Sequence, residues 1–499
     1  MSTNTQAATT KPQPNRWAVL AVLGVAQLMV VLDATVVNVA LPSAQHALHF
    51  STGSRQWIIT AYALAFGSLL LLGGKLGDLF GRKWTLIAGL SGFAVASAIG
   101  GLSQSFGMLV AARALQGVFG ALLAPSALGL LTVTFQGSKD RAKAFGIFSA
   151  IAAGGASLGL VLGGALTQAI SWRWSLYVNL AIAVPTAIAA LRLLSSERQP
   201  SRPRLDLPGV AVGSLGLFAL VFGFSNAETS SWSNPLTVFA LSASAVLLAS
   251  FLALERRVEH PLLPLHIVWD RARGGAYATI ALAGSAVFAV FLFLTYYLQQ
   301  NLGFSPLKTG VAFLPMTVMI VLTATTVQTR LLARTGAKPI VITGMALGIS
   351  AMIFFTRLTP HASYVSHVLP GLLLTGVGMG SIFAPAFSTA TLGVKTGEAG
   401  IASAMVNTSQ QVGGSVGTAL LSTIFASAAA SYAAAHTKAA GITSAAAIHG
   451  YTTAFEWAAA LFGVGLLVAL IVLPTDGAAR ARTAQSDASA ELAVGAQGA

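Results

Sequence analysis

The sequence predicts an all-α membrane protein that crosses the bilayer fourteen times. Its 499 residues are 55% hydrophobic and only 8% charged, and the mean hydropathy is +0.76, values outside the range of ordinary soluble domains. Apolar segments of about 20 residues, long enough to cross a bilayer as helices, recur along the chain. Most charged residues fall between these segments, as expected for loops at a membrane surface.

The apolar segments define the predicted spans in chain order. The first follows a polar start and is too long for the core of a signal peptide, so we expect it to remain as an uncleaved span. The fourteen spans are 17–40, 57–77, 84–104, 107–134, 142–168, 174–194, 207–226, 235–254, 275–298, 307–329, 339–357, 366–390, 400–428 and 452–473.

The formal charge of +14 is spread over short loops, which indicates membrane orientation rather than nucleic-acid binding. With a cytoplasmic N-terminus, 22 of the 28 Lys and Arg residues fall on the tails, alternate loops and their flanks. Five fall on the other side, and Arg113 lies inside a span. Positive charge concentrates on the cytoplasmic side of membrane proteins. We therefore expect both termini in the cytoplasm and the chain in the cytoplasmic (inner) membrane.

A weak internal repeat divides the chain. Segment 74–83 resembles segment 329–338, eight spans later, and shares a Leu, a Gly and a Lys at matching positions. The repeat predicts two six-helix bundles, 17–200 and 261–474, with two extra central transmembrane helices in 201–260. A cytoplasmic tail, 1–16, precedes them and a disordered tail, 475–499, follows. Repeated bundles place a substrate site near the midplane, between the halves.

Asp33 is the only charged residue in the first span, and Arg113 lies inside the fourth. A buried ionisable group is costly and marks a functional site by default, and a buried carboxyl group that gains and loses a proton can act as a proton carrier. At about 1.5 Å per residue, Arg113 lies roughly 9 Å below the outer boundary and Asp33 roughly 12 Å below Leu41. The two therefore lie at similar depth. A purely structural hydrogen bond or a static ion pair is the alternative.

Several motifs together resemble the major facilitator superfamily, and within it the fourteen-helix drug:proton antiporter family. The resemblance covers roughly residues 15 to 475. In the superfamily the first and fourth helices lie close together, which implies that Asp33 and Arg113 pair, directly or through water. It implies the major facilitator fold and multidrug efflux driven by the proton motive force, and therefore drug resistance. The segments that carry it are Leu32–Pro42, Gly74–Lys83, Arg113–Gly120, Trp172–Asn179, Tyr297–Pro315 and Gly371–Gly414.

Segment 74–83 fits the superfamily's G-x-L-x-D-x-x-G-R-K loop, and we call its residues the cytoplasmic latch. Its glycines allow a tight turn, and Asp78 can cap a helix or pair with Arg82. The second copy has Ala333 in place of the acid, so only the first half is expected to carry the latch. The latch residues are Gly74, Asp78, Gly81, Arg82 and Lys83.

The fifth span has the glycine spacing of the superfamily's antiporter signature, which lets helix backbones approach closely. Leu160 stands where a Pro is usual. Without that Pro the helix keeps a backbone hydrogen bond, and we expect it to bend less. The signature glycines are Gly146, Gly155, Gly159, Gly163 and Gly164.

Polar and aromatic residues of other spans are candidates for a substrate cavity, because aromatic faces suit hydrophobic cations. They are Asn38, Tyr62, Gln116, Tyr296, Tyr297, Gln299, Phe383 and Asn407. The acids Glu228, Glu398 and Glu456 lie near predicted boundaries and are expected to be solvated or capping residues.

The leading hypothesis is proton-coupled export of hydrophobic or cationic drugs by alternating access. A dedicated exporter or importer of one metabolite or self-made antibiotic is an alternative, and a non-transporting receptor or scaffold is a third. An enzyme is not expected, because no nucleophile–base set, metal-ligand spacing or phosphate loop appears. We expect protons and small molecules as ligands, no metal, no nucleic acid and no cofactor other than the proton gradient. A periplasmic adaptor is left open.

Overall fold

The computed structural model describes residues 15–50, 56–136, 140–195, 206–259, 261–360, 362–395, 398–436 and 442–474, and within these ranges the regular secondary structure is helical. The predicted tails lie largely outside the described residues. The helices are α1 (Arg16–Leu48), α2 (Gln56–Phe80), α3 (Arg82–Gly101), α4 (Phe106–Thr134), α5 (Arg141–Ala169), α6 (Trp174–Leu193), α7 (Leu207–Thr229), α8 (Pro235–Glu255), α9 (Leu265–Trp269), α10 (Arg271–Tyr296), α11 (Pro306–Thr326), α12 (Leu332–Thr335), α13 (Ala337–Phe355), α14 (Leu369–Ala390), α15 (Ala399–Ala435) and α16 (Ile442–Ile471).

Each predicted span corresponds to a helix. Thirteen helices are long and apolar enough to cross a membrane, and α5 is the fourteenth if its two bent parts count as one span. The short helices α9 and α12 were not predicted, nor were the π-helical turns Tyr297–Asn301, Val327–Leu331 and Tyr364–Val368. Helices α1 and α15 also extend beyond the predicted spans, because apolar periodicity does not mark where a helix continues into a polar environment.

Helix α5 bends where the sequence predicted a straighter helix. Its parts Arg141–Ala156 and Leu158–Ala169 meet at 42°. The expectation based on Leu160 is therefore wrong. The bend lies beside the Gly154–Gly155 pair, and a glycine pair is itself a common site of helix bending.

The latch segment is mostly helical rather than a loop. Gly74 and Asp78 lie within α2, and the chain turns at Gly81 alone, which has φ 91°. Gly336 occupies the matching position of the repeat with φ 76°. L-residues with side chains rarely adopt such values, so each turn requires glycine. The predicted span ended at residue 77, whereas α2 continues to Phe80, so the turn is shorter than the sequence indicated.

The two lysines of the repeat make equivalent contacts. Lys83 Nζ, at the start of α3, donates to the carbonyl oxygens of Leu191 and Leu194 at 2.9 and 2.6 Å. Lys338 Nζ, at the start of α13, donates to the carbonyl oxygen of Leu470 at 2.7 Å. Each lysine thus binds carbonyl groups at the end of the last helix of its own half, where the helix dipole favours a cation.

The halves meet along a few helix pairs. Helix α5 packs on α11 and α14, while α2 and α4 pack on α15. The inserted helices are attached to this interface on one side, because α7 packs on α2, α15 and α8. Movement of α2 against α15 therefore also affects the inserted pair.

Helix α15 approaches α10 closely enough to require glycine. A Cβ on Gly413 would overlap the carbonyl oxygen of Ala281, and one on Gly417 would overlap that of Ser285. The hydroxyl group of Ser285 donates to the carbonyl oxygen of Gly413 at 2.6 Å. By contrast, a Cβ on the adjacent Gly414 would meet nothing within 4 Å.

This contrast provides a matched pair of variants. Gly413→Ala should destabilise the protein by about 1–3 kcal/mol, because the new methyl group meets backbone atoms that cannot rotate away. Gly414→Ala should be neutral, or stabilising by up to about 1 kcal/mol through helix propensity. Thermal unfolding of the purified variants in one detergent measures the difference, and equal melting temperatures would contradict this packing.

Candidate functional site

Asp33 and Arg113 form a direct ion pair inside the membrane-spanning part of the protein. Arg113 Nη1 lies 2.5 Å from Asp33 Oδ2. The two residues are 0% and 2% exposed. Helix α1 carries the acid and α4 the base, as their similar depths predicted. An ion pair this deeply buried needs further hydrogen bonds to offset the loss of water.

Those further bonds come from two amide side chains. Gln116 Nε2 and Asn179 Nδ2 both donate to Asp33 Oδ1, at 3.0 and 2.7 Å. Gln116 Nε2 also donates to Ser97 Oγ at 2.8 Å. We call Asp33, Ser97, Arg113, Gln116 and Asn179 the Asp33 cluster. Four helices contribute to it, so it exists only in the assembled first half.

Three further contacts fix the guanidinium group of Arg113. Its Nε donates to the carbonyl oxygen of Ile58 at 3.3 Å, and its Nη1 donates to Gln116 Oε1 at 2.9 Å. The guanidinium carbon lies 4.4 Å from the centre of the Tyr62 ring, which is a cation–π contact. The cation is therefore fixed in position beside the Asp33 carboxylate.

Three donors stabilise the Asp33 carboxylate, and one of them carries a positive charge. Because these donors lie on α4 and α6, the carboxylate joins α1 to both helices. Loss of Arg113 would leave Asp33 Oδ2, a buried oxygen, without its charged partner.

Ser97 and Asn179 were not predicted as site residues. Asn179 appeared only within a motif, and Ser97 in none. Depth is the signal that could have found them: Asn179 lies five residues after the start of α6, and Ser97 four residues before the end of α3. At about 1.5 Å per residue, Ser97 lies roughly 6 Å before the end of α3 and Asn179 roughly 8 Å after the start of α6. Because the chain leaves α3 and enters α6 on the same side of the bundle, the two residues lie at similar depth.

The predicted cavity residues do not form one site in this structure, and their role stays a prediction. Tyr62 and Gln116 belong to the surroundings of Arg113. The side chain of Asn38 lies outside the described part of the structure. The others have separate surroundings. Tyr296 is exposed, Tyr297 is buried and donates to the Thr359 carbonyl oxygen, and Gln299 lies in a π-helical turn. In the second half, Phe383 packs on Phe387, and Asn407 donates to the Ser403 carbonyl oxygen.

The cytoplasmic latch joins the two halves. Asp78 Oδ1 lies 2.5 Å from Arg82 Nη2, the contact across the turn that the sequence suggested. The same carboxylate accepts the backbone N–H groups of Gly400 and Ile401 at 3.1 and 3.2 Å. These N–H groups lie in the first turn of α15, where a negative charge is favoured. Asp78 therefore holds the start of a helix that belongs to the other half.

Glycines make this contact possible. A Cβ on Gly74 would lie 2.7 Å from the Gly400 carbonyl oxygen, and one on Gly400 would lie 2.7 Å from Asp78 Oδ1. A further contact between the halves was not predicted: Arg141 Nη2 donates to Thr391 Oγ1 at 3.1 Å. The end of α2 and the start of α5 are thus both tied to the second half.

The antiporter-signature glycines face two different helices. Gly155, Gly159 and Gly163 lie against α1, where a Cβ would come within about 3 Å of Val31, Thr35 and Val36 respectively. Gly146 and Gly164 instead lie against Gln328 and Leu307 of the second half. The small residues of α5 therefore allow close packing on both α1 and α11.

The weaker acidic candidates lie away from the Asp33 cluster. Glu398 precedes α15 and its Oε2 lies 3.1 Å from His266 Nε2. Glu456 is exposed on α16, and because that helix begins at Ile442 it lies further from the helix start than predicted. The side chain of Glu228 lies outside the described part of the structure.

This chain is similar to known proteins both in sequence and in fold. The sequence model of the Major Facilitator Superfamily matches residues 23–418. The puromycin resistance protein of Streptomyces alboniger is 46% identical over 470 residues, which cover 94% of this chain and 92% of that protein. The cephamycin export protein of Amycolatopsis lactamdurans is 35% identical over 402 residues, covering 80% and 83%.

A solved structure supports the same fold at low sequence identity. The crystal structure of the human organic anion transporter MFSD10 (TETRAN) superposes with a TM-score of 0.61. The match covers 92% of this chain and 100% of the human chain at 16% identity. At that identity the comparison concerns the fold alone.

The latch geometry predicts an asymmetric response to mutation. Asp78→Asn removes the charge that Arg82 and the first turn of α15 share, and charge-assisted hydrogen bonds contribute about 1.5–3 kcal/mol each. We expect correct insertion but movement of small molecules slowed by about tenfold or more, since 1.4 kcal/mol corresponds to a factor of ten. Ala333→Ser, at the matching position of the second copy, should be tolerated. Efflux rates normalised to membrane-inserted protein give the comparison, and equal sensitivity at the two positions would contradict an asymmetric latch.

Proposed function

The chain belongs to the major facilitator superfamily of membrane transporters, and on that premise we propose that it exports hydrophobic or cationic antibiotic-like molecules in exchange for protons. The observation that carries the proposal is the buried Asp33–Arg113 pair, with its 2.5 Å contact inside a span. A transporter that moves its substrate uphill needs an energy source, and an acid inside the membrane can carry the protons of an ion gradient.

The proposed cycle follows from the two protonation states of Asp33. Protons entering from outside neutralise Asp33, which weakens its attraction for Arg113 and for a cationic substrate, and the substrate leaves outward. After the protein opens to the cytoplasm the proton leaves, because the internal pH is higher and Arg113 attracts the carboxylate. The cycle requires that each ligand bind one state more tightly than the other.

In the proposed cycle, the latch is closed in one state and open in the other. With Asp78 bound to the first turn of α15, the cytoplasmic ends of α2 and α15 are held together. Opening toward the cytoplasm must break these bonds. A proton at Asp33 can favour one state through α1, which packs on α4, α5 and α6.

A second candidate is a dedicated antibiotic exporter. The relative that is 46% identical over nearly the whole of both chains is named for resistance to one antibiotic, puromycin. That similarity makes puromycin the first compound to test. Multidrug transport and dedicated transport use the same fold, so only the range of compounds separates them.

The range of compounds is measurable in cells that lack their own pumps. If the protein is a multidrug exporter, its expression should raise the inhibitory concentrations of several chemically unrelated cationic compounds as well as that of puromycin. If it is dedicated, protection should extend to one compound and its close analogues. No protection against any compound in a broad panel would contradict export of antibiotic-like molecules.

Asp33 provides the test of proton coupling. Asp33→Asn mimics the protonated form, so uphill export should fall to the level of vesicles without the protein, while Asp33→Glu should keep partial activity. The measurement combines substrate-induced proton release from purified protein with efflux from proteoliposomes under an imposed pH gradient. Uphill export and proton exchange that persist in Asp33→Asn would make Asp33 a structural residue.

Two controls separate coupling from folding. Asp33→Asn leaves the Arg113 charge buried without its counter-charge, which costs about 3–5 kcal/mol. The double variant Asp33→Asn with Arg113→Gln removes both charges and should restore stability without restoring coupling. Glu456→Gln changes an exposed carboxylate of another span and should keep wild-type coupling.

A further inference from the structure

A pair of buried carboxylates lies where the inserted helices meet the rest of the protein. Asp206 precedes α7 and is 8% exposed, while Glu255 ends α8 and is 4% exposed. Asp206 Oδ1 accepts the N–H group of Gly209 at 3.0 Å, and Glu255 Oε2 accepts that of Leu263 at 2.9 Å. We call Asp206 and Glu255 the carboxylate pair. Neither residue belongs to the latch or to the Asp33 cluster.

The other oxygen of each carboxylate faces the same point. Among the described residues, Asp206 Oδ2 and Glu255 Oε1 have no hydrogen-bond partner, although both atoms are buried. A Cβ on Gly209 would lie 2.7 Å from Glu255 Oε1 and closer still to Asp206 Oδ2. The two oxygens therefore lie within about 5 Å of each other, and two carboxylates at this distance disfavour double ionisation.

Among the described residues, Lys75 is a cation that acts on both carboxylates of the pair. Lys75 of α2 is 8% exposed, and its Nζ donates to the Pro261 carbonyl oxygen at 2.8 Å. It acts on the pair at longer range, and one ammonium group balances one carboxylate. The other charged groups on neighbouring elements are Asp78 with Arg82, Glu398 with His266, and the exposed Arg256 and Arg257. Arg202 and Arg204 precede Asp206 in the sequence, outside the described residues.

We infer that Asp206 and Glu255 share one proton and form a second proton-binding site, separate from Asp33, between the inserted helices. The proton comes from cytoplasmic water and converts one carboxylate to a carboxyl group, whose O–H donates to the other carboxylate. The cluster of Asp206, Glu255 and Lys75 then has no net charge. A bound metal ion fits less well, because only two free oxygens face the point and hard cations take six or more oxygen ligands.

The position of this site links it to the movement of the halves. Lys75 is one turn before Asp78 on α2, and its bond to Pro261 ties α2 to the segment that leads into α9. When the latch opens and α2 moves, Lys75 moves relative to the carboxylate pair. The proton affinity of the pair then changes with the state of the cytoplasmic side. The site does not depend on Asp33 being the coupling group.

Infrared spectroscopy of the purified full chain at neutral pH tests the inference, because a protonated carboxyl group has its own C=O stretching band. Asp206→Asn and Glu255→Gln should each remove one carboxyl group from that band, since a single remaining carboxylate is balanced by Lys75. Glu259→Gln, which changes an exposed acid of the same segment, should leave the band unchanged. Repeating the series in an Asp33→Asn background removes any contribution from Asp33.

Replacing Lys75 should change the carboxyl band in the opposite direction. Lys75→Met removes the balancing charge, so the carboxylate pair should bind a further proton and the band should grow. This outcome does not require that the acid variants fold. Bands that neither the acid variants nor Lys75→Met alters would show that both carboxylates are ionised and would overturn the inference. A band that appears only after Arg202 and Arg204 are both replaced by Gln would assign the pairing to those arginines instead.

Discussion

The structure depends on one constraint, the cost of placing charge where water is excluded. Asp33 is tolerable inside a span only because Arg113, Gln116 and Asn179 together satisfy its oxygens. Those partners come from α4 and α6, and Ser97 of α3 in turn binds Gln116. Satisfying one carboxylate therefore fixes how four helices of the first half pack. Removing one charge would leave the other buried without its counter-charge.

The same constraint explains the latch. Asp78 is buried beside α15, and its carboxylate is satisfied by Arg82 and by two N–H groups of the other half. A helix N-terminus provides unpaired N–H groups and a favourable dipole, so it accepts an acid that has little contact with water. The glycines at positions 74 and 400 bring the two backbones close enough for these bonds. Polar satisfaction and close packing thus act together at this contact, and both are lost when the halves separate there.

The inserted helices α7 and α8 are more than spacers between the halves. Helix α7 packs on α2 and α15, the pair that the latch joins, and the carboxylate pair lies at the base of the insertion. Lys75 and Asp78, one turn apart on α2, face these two sites. Any rotation of α2 against α15 would therefore displace the inserted helices as well as the latch residues. The insertion thus contacts both helices that the latch joins, an arrangement that two six-helix bundles alone would lack.

By itself the sequence determined the all-α membrane fold, the positions of the spans and the similar depth of Asp33 and Arg113, because these follow from hydropathy and from spacing along single helices. Its motifs indicated the family, and the pairing of Asp33 with Arg113, by resemblance. It did not determine the bend of α5, the single-residue turn at Gly81, or the roles of Ser97 and Asn179 beside Asp33. Nor did it show that Asp78 reaches the first turn of α15, or that Asp206 and Glu255 face one point over Gly209. Each of these depends on which faces of distant helices meet, and that is decided by packing in three dimensions. Periodicity records which side of a helix is apolar, whereas only the tertiary structure decides which polar atoms share a buried space.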